Sequence, residues 1–159
     1  MKKPTEHFVS IVREYCTWAE DSKLTGEEDL KKAISLLALL YFSALALQND
    51  GCGEDINATV VTNEQWQFVY KRFSSLPFNY YSSFFSPAKI EDAPGVGDVA
   101  DDLADIYRDI KDGLWLYEKG YNIEAVWEWK QSFSTHWGRH AVGALQAFHC
   151  YLADEYVEI

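Results

Sequence analysis

Apolar residues recur at intervals of three and four along most of the chain, which is the spacing of one face of an α-helix. The clearest run follows Asn122, a residue that favours helix N-caps, and extends to about residue 156. Its apolar positions are Val126, Trp129, Phe133, Trp137, Ala141, Ala144, Phe148 and Leu152. Similar patterns predict four earlier helices, at about 5–21, 25–48, 62–76 and 98–120.

Residues that can cap a helix stand at three of these predicted N-termini. Thr25 with Glu28, and Thr62 with Gln65, have the spacing of a capping box, in which each side chain accepts from the other residue's backbone N–H. Asp98 is a good N-cap for the fourth helix. The starts of these three helices are therefore better defined than their ends.

The second predicted helix is apolar on nearly every side between Leu36 and Leu47, with Ser43 as the exception. A helix of this kind lies either at the centre of a bundle or in a membrane. The stretch is shorter than the roughly 18 to 20 residues that cross a bilayer. We therefore expect the second helix to be the buried, central helix of a bundle.

A long segment without helical periodicity, 77–97, separates the third and fourth helices and contains three of the four prolines. Its aromatic residues are Phe78, Tyr80, Tyr81, Phe84 and Phe85. A loop of this length is uncommon in a compact domain and often forms a lid or a binding loop. We expect its aromatic side chains to pack on the bundle.

The chain has 159 residues, which suits one domain over residues 1–159 with a sizeable core. Hydrophobic residues make up 48% of it and aromatic residues 16%, so we expect a folded protein. Together with the periodicity, this predicts an all-α, single-domain helical bundle of about five main helices. The long aromatic-rich loop is its main irregular part, and no sheet is expected.

The formal net charge of −11 limits the partners that the chain can have. Binding to nucleic acid depends on Lys and Arg that neutralise phosphates, and binding to an anionic membrane surface has the same requirement. We therefore expect neither nucleic acid nor membrane as a partner. The remaining candidates are an unknown small molecule, another protein or a second copy of the chain as a homodimer.

The cysteines and the N-terminus favour a cytoplasmic location. Cys16, Cys52 and Cys150 are odd in number and far apart, which fits a reducing compartment better than a disulfide scaffold. Cys16 and Cys150 fall on helical patterns and are expected in the core. No apolar signal core follows the first residues. The glycines before the fourth helix lack the Lys-Ser/Thr of a phosphate-binding loop, and no cofactor is predicted.

The candidate site chemistry lies at His136 and His140, which are one helical turn apart on the fifth helix. A short turn near Gly120 makes the fourth and fifth helices an antiparallel hairpin. Equal rise from that turn places Asp102 and Asp105 level with the two histidines. We therefore expect the histidines to lie opposite these aspartates.

Three interpretations of this cluster compete. The preferred one is structural, with each histidine donating to Asp102 or Asp105 across a helix–helix interface. The second is a metal site formed by His136, His140, Asp102 and Asp105, because histidines four apart project from one helical face. The third is a pocket for a small molecule or peptide, and its candidate ligand-binding residues are Asp102, Asp105, Trp129, His136, Trp137 and His140.

Several stretches resemble the bacterial family known as domain of unknown function 5063. They are residues 76–87, 102–114, 125–129, 133 and 136–140. The resemblance covers most of the chain and implies a small, mainly helical, cytoplasmic bacterial protein. It implies no activity, cofactor or ligand.

Two classes of function remain open at this point. The preferred class is a non-catalytic helical module that binds a partner or ligand. The alternative is a metal-dependent hydrolase that uses the histidines and aspartates between the fourth and fifth helices. The sequence favours neither class through a complete catalytic motif, since no Glu follows the first histidine as in zinc proteases.

Overall fold

The computed structural model describes residues 3–48, 51–90 and 93–155, and these form a helical bundle. The helices are α1 (Pro4–Asp21), α2 (Gly26–Leu45), α3 (Asn63–Phe73), α4 (Val99–Glu118), α5 (Asn122–Ser132) and α6 (Gly138–Asp154). A π-helical turn, Phe133–Trp137, joins α5 to α6, and strands β1 (Tyr80–Ser83) and β2 (Gly95–Asp98) lie between α3 and α4. The all-α class and the helical bundle are confirmed.

The centre of the bundle is α4, so the prediction that the second helix is central was wrong. Twelve of the residues of α4 are buried, and this helix packs against α1, α3, α5 and α6. Helix α2 packs against α1 and α6 and exposes Leu39, Phe42 and Leu45 on its other side. Its apolar character therefore exceeds what its position in the bundle buries. None of the described helices has the length and hydropathy needed to span a membrane.

The predicted fifth helix is interrupted, because the π-helical turn separates α5 from α6. The N–H of Gly138 donates to the carbonyl of Phe133, which is the five-residue spacing of a π-turn. A Cβ at position 138 would overlap that carbonyl oxygen, so glycine permits the close approach. The predicted end of this helix, near Tyr156, lies outside the described residues.

A two-stranded antiparallel hairpin occupies part of the predicted aromatic loop, so the expectation of no sheet was wrong. Strands β1 and β2 pair with Tyr81 opposite Gly97. Phe78 stacks on Tyr151 at a centroid distance of 4.8 Å. Tyr80, Phe84 and Phe85 are exposed. The packing prediction for this segment is therefore correct for part of it, and the exposed aromatics contradict it elsewhere.

The helix starts match the predicted caps in two of four cases. Thr62 and Gln65 form the capping box, and the Asp98 side chain accepts from the N–H of Ala100. Thr25 occupies the N-cap position of α2 without a side-chain hydrogen bond, so that predicted capping box is not formed. Helix α5 begins at Asn122 itself, with no side-chain cap.

A buried ion pair ties α1, α2 and α3 together. Asp29, 2% exposed, accepts from Arg72 Nη1 at 2.6 Å and from Arg72 Nη2 at 2.9 Å. The indole N–H of Trp18 donates to Asp29 at 2.7 Å. Two of the three hydrogen bonds to Asp29 thus come from the guanidinium of Arg72, which is the geometry of a strong carboxylate–arginine pair. Cys16 is buried in α1 as predicted, whereas Cys150 is exposed.

Candidate metal centre

The short connection after α4 folds the C-terminal helices back along it. Gly120 has φ 90°, a left-handed conformation that glycine adopts readily. The N–H of Tyr121 donates to the carbonyl of Leu116 at 3.0 Å and closes the turn. Helices α5 and α6 both pack on α4. The carboxylates of α4 therefore lie beside the histidines of the π-helical turn and α6.

His140 on α6 is held by Asp102 on α4. Its Nδ1 lies 2.6 Å from Asp102 Oδ1, and because an ionised carboxylate can only accept, His140 donates its Nδ1–H. Asp102 Oδ2 accepts from the hydroxyl of Tyr81 at 2.7 Å. Burial lowers the pKa of His140, but the hydrogen bond to Asp102 and the nearby carboxylate charges outweigh it, so the pKa is raised.

His136 in the π-helical turn is held by Asp109 on α4. Its Nδ1 lies 2.8 Å from Asp109 Oδ2, so His136 also donates through Nδ1. Burial raises the pKa of the Asp109 carboxyl, and the opposing hydrogen bond and charge of His136 do not cancel that shift. Asp109 was not among the predicted partners, because the prediction assumed a regular helix where the π-helical turn moves His136 along α4.

Asp105 lies between the two histidines on the α4 side. Its Oδ1 accepts from the indole N–H of Trp66 at 2.8 Å and from Arg108 Nη2 at 2.7 Å. Its Oδ2 lies 3.5 Å from His136 Nε2 and 3.7 Å from His140 Nε2. The donors on Oδ1 thus fix the carboxylate with Oδ2 turned toward the histidines.

Three atoms that could ligate a metal ion therefore converge, and they are called the donor atoms of the cluster. The two Nε2 atoms of His136 and His140 are 3.3 Å apart, and each is near Asp105 Oδ2. Because both Nδ1 atoms carry hydrogen, each ring in its neutral form presents a lone pair at Nε2. Two lone pairs at this distance repel unless a cation or a shared proton lies between them. Among the described residues, one group of potential metal-ligating side chains (His, Cys, Asp or Glu) could hold a metal ion. It consists of Asp105, His136 and His140.

The distances fit tetrahedral coordination. Zinc binds nitrogen and oxygen ligands at about 2.0–2.1 Å, so two ligands at the tetrahedral angle are about 3.3–3.4 Å apart. The observed separations of 3.3, 3.5 and 3.7 Å are close to that value. Each histidine also has a carboxylate on its other nitrogen, which is the usual outer shell of a zinc-bound histidine. The residues therefore fit a bound zinc ion without a large rearrangement.

The cluster is accessible from solvent on the histidine side. The side chain of His136 is 40% exposed and that of His140 is 23% exposed, whereas Asp105 is 12% exposed. An ion could therefore enter past the imidazoles. Three protein ligands would leave a fourth position for water or a ligand, as in catalytic zinc sites.

Negative charge is in excess around the three donor atoms. The carboxylates of Asp101, Asp102, Asp105 and Asp109 lie near the histidines, with the guanidinium of Arg108 on Asp105. Burial raises the pKa of the Asp101 carboxyl, and the charge of Asp105 adds to that effect. A divalent cation would offset this surplus.

Two of the predicted pocket residues belong to the core instead. Trp129 and Trp137 are fully buried, and their indole N–H groups donate to the backbone carbonyls of Ile110 and Trp129. A Cβ at Gly113 would overlap the Trp129 indole, so α4 and α5 approach closely there. These tryptophans set the spacing of the helices, and the hydrogen bonds that orient the donor atoms come from other residues.

The sequence reasoning missed four residues that orient the donor atoms, namely Tyr81, Trp66, Arg108 and Asp109. Helical spacing contained a usable sign for Arg108 and Asp109, because they lie three and four residues beyond Asp105 on α4. Tyr81 and Trp66 come from distant parts of the chain. Their contacts depend on the tertiary packing of the hairpin and α3, which periodicity does not reveal.

Comparison with known proteins places the chain in a family. The sequence model of DUF5063, a domain of unknown function, matches residues 1–154. The chain belongs to the DUF5063 family. This membership confirms the resemblance found in the sequence, and it leaves the function of the site open.

A solved structure has the same fold as this member of the DUF5063 family. It is the crystal structure of protein BF1032 from Bacteroides fragilis, a structural genomics target, with a TM-score of 0.77 and 24% identity. The match covers 95% of this chain and 96% of that chain. At this identity the likeness supports the helical fold alone. No curated protein matches the sequence.

Proposed function

We propose that this protein binds one divalent transition metal ion, zinc in the first instance, through Asp105, His136 and His140. The observation that carries the proposal is the convergence of one carboxylate oxygen and two Nε2 atoms at separations of 3.3–3.7 Å. The proposal follows the metal alternative of the sequence analysis. It places Asp102 in the outer shell instead of among the ligands.

The structural interpretation explains only one side of each imidazole. A histidine that serves only to satisfy buried polar groups needs a partner for its ring N–H, and Asp102 and Asp109 supply those partners. It accounts for the two Nε2 atoms, which face each other 3.3 Å apart at an accessible position, only if they share a proton. A bound cation accounts for both sides at once.

The donor set favours zinc or a similar ion over magnesium or calcium. Two imidazole nitrogens and one carboxylate suit borderline ions such as Zn²⁺, whereas Mg²⁺ and Ca²⁺ prefer oxygen ligands. Cysteine is absent from the cluster, so the site lacks the sulfur ligands common in structural zinc sites.

The open fourth position favours hydrolytic chemistry over a purely structural metal. A zinc ion held by Asp105, His136 and His140 would leave a position for water and would lower the pKa of that water to about 7. The partial exposure of His136 gives a ligand access to that position. Metal-dependent hydrolysis is therefore the reaction class that we propose for the site.

Metal content after purification tests the metal proposal directly. Wild-type protein purified without added metal, then dialysed against buffered zinc, should retain about one zinc per chain in elemental analysis. His136→Ala/His140→Ala should retain none above background. His149→Ala is the matched control, because His149 is an exposed histidine on α6 outside the cluster, and it should retain the wild-type amount. Equal zinc in all three proteins would show that the binding lies elsewhere.

A protein-interaction module remains a second candidate, because α2 presents an exposed apolar stripe of Leu39, Phe42 and Leu45. Phe42 is 70% exposed, an unusual position for a large apolar side chain next to two others. If the stripe joins two copies, wild-type protein should sediment as a dimer and Phe42→Asp as a monomer. Phe68→Asp, which alters an exposed phenylalanine on α3, is the control. A wild type that stays monomeric at every concentration would exclude the homodimer.

A further inference from the structure

The hairpin between α3 and α4 reaches the candidate metal centre through one side chain. The hydroxyl of Tyr81 donates to Asp102 Oδ2 at 2.7 Å, and Asp102 Oδ1 accepts from His140 Nδ1 at 2.6 Å. A continuous chain of two hydrogen bonds therefore runs from strand β1 to the imidazole whose Nε2 faces the cluster. Asp102 is 6% exposed, so water competes little for these bonds.

Two glycines make room for the Tyr81 side chain. A Cβ at Gly97, its pairing partner on β2, would overlap the tyrosine ring. A Cβ at Gly143 on α6 would come within 2.6 Å of the hydroxyl oxygen. The backbone thus lies close to the ring at Gly97 and close to the hydroxyl at Gly143, and the hydroxyl has a defined position at Asp102.

The hairpin is attached to the bundle near the same place. The N–H of Val99 donates to the carbonyl of Asn79 at 2.9 Å and links the strand region to the start of α4. Arg139, next to His140 in the sequence, donates to the carbonyl of Phe85 and lies over its ring. The hairpin and the start of α6 therefore share contacts beyond Tyr81.

We propose that Tyr81 is a positioning residue of the metal site, and that metal binding and hairpin stability are coupled through the Tyr81–Asp102–His140 chain. This inference rests on the proposed function. Tyr81 fixes the carboxylate plane of Asp102, and Asp102 fixes the ring orientation and tautomer of His140. Coupling of this kind is reciprocal, so an ion that needs the ordered His140 also favours the ordered hairpin.

Titration of metal-free protein with zinc tests the first half of the inference. Loss of an outer-shell partner costs about 10- to 100-fold in metal affinity, and Tyr81 acts one bond further out. We therefore expect Tyr81→Phe to weaken zinc binding about 3- to 10-fold. Tyr80→Phe is the matched control, because the neighbouring tyrosine on the same strand is 66% exposed, and its affinity should equal that of wild type.

A second variant separates positioning from general damage to the fold. Gly143→Ala keeps Tyr81 but pushes its hydroxyl away from Asp102, and alanine has the higher helix propensity. It should lower zinc affinity as Tyr81→Phe does, although it favours helix α6 locally. With Co²⁺ as the probe, both variants should also shift the visible absorption bands, which report the geometry of the ligands. A purely structural role for Tyr81 would leave these bands unchanged.

Hydrogen exchange tests the second half. In wild type, zinc should slow exchange of the paired amides of Tyr80–Ser83 and Gly95–Asp98, and in Tyr81→Phe the slowing should be much smaller. If the wild type binds zinc, and Tyr81→Phe and Gly143→Ala bind it with the same affinity, this inference is overturned and the proposed function stays intact. A wild type that binds no zinc would overturn both.

Discussion

Replacing His140 with alanine should weaken zinc binding by more than the roughly 10- to 100-fold that loss of an outer-shell partner costs. The reason is that His140 supplies one of three donor atoms, and its Nε2 lies 3.3 Å from that of His136. Two remaining ligands on a partly exposed surface hold an ion poorly. Calorimetric titration of metal-free protein with zinc measures the change, with His149→Ala as control.

The same variant also separates the metal and structural roles of the cluster through stability. Zinc at about 100 times its dissociation constant should stabilise the wild type by about 2.7 kcal/mol, and a chelator should remove that gain. In His140→Ala the stability should be the same with zinc and with chelator. The metal-free variant should still lose about 1–3 kcal/mol, because Asp102 loses a buried hydrogen-bond partner. If the wild type responds to neither zinc nor chelator, the structural interpretation of the cluster is the correct one.

Replacing Asp29 with alanine should destabilise the fold by about 3–5 kcal/mol, the cost of leaving one partner of a buried ion pair unpaired. Asp29 accepts two bonds from Arg72 and one from Trp18, and the Arg72 side chain is only 14% exposed. The substitution leaves a guanidinium and an indole N–H without their acceptor. Urea unfolding followed by circular dichroism measures the difference.

A double substitution checks the cause of that loss. Asp29→Leu/Arg72→Leu removes both charges, and buried pairs replaced by apolar residues often lose little stability. The double variant should therefore be more stable than Asp29→Ala. Asp21→Ala, which removes the exposed partner of Lys23, should change stability little. A small effect of Asp29→Ala would show that the pair does not hold α1, α2 and α3 together.

The helices were predictable because each has a clear apolar face, but the arrangement of the helices was only partly predictable. Continuous apolar sequence suggested that α2 is central, yet α2 leaves Leu39, Phe42 and Leu45 exposed. The central helix, α4, carries buried aspartates at 102 and 105, which lower its apparent hydrophobicity. The apolar content of a helix therefore does not predict how deeply that helix is buried in the bundle.

The facing of histidines and aspartates was predictable from one short turn. Counting residues from Gly120 placed Asp102 and Asp105 level with His136 and His140, and His140 is hydrogen bonded to Asp102 in the structure. The same counting missed Asp109 as the partner of His136, because it assumed a regular helix across the π-helical turn. Gly138 was the only local sign of irregularity.

The outer shell was not predictable, because it depends on contacts between distant segments. Trp66 comes from α3 and Tyr81 from a hairpin that was taken for an irregular loop. Their hydrogen bonds orient Asp105 and Asp102, so that Asp105 Oδ2 and the two histidine Nε2 atoms converge on one point. This is why the sequence favoured a structural cluster, whereas the geometry supports the metal proposal.

A crystal grown in zinc and measured at the zinc absorption edge tests the metal site most directly. We expect one anomalous peak about 2.0–2.1 Å from the Nε2 atoms of His136 and His140 and about 2.0–2.2 Å from Asp105 Oδ2. The Nδ1 atoms of His136 and His140 should remain hydrogen bonded to Asp109 and Asp102. A cluster without a peak in such a crystal, with zinc bound elsewhere or not at all, would contradict the proposed site.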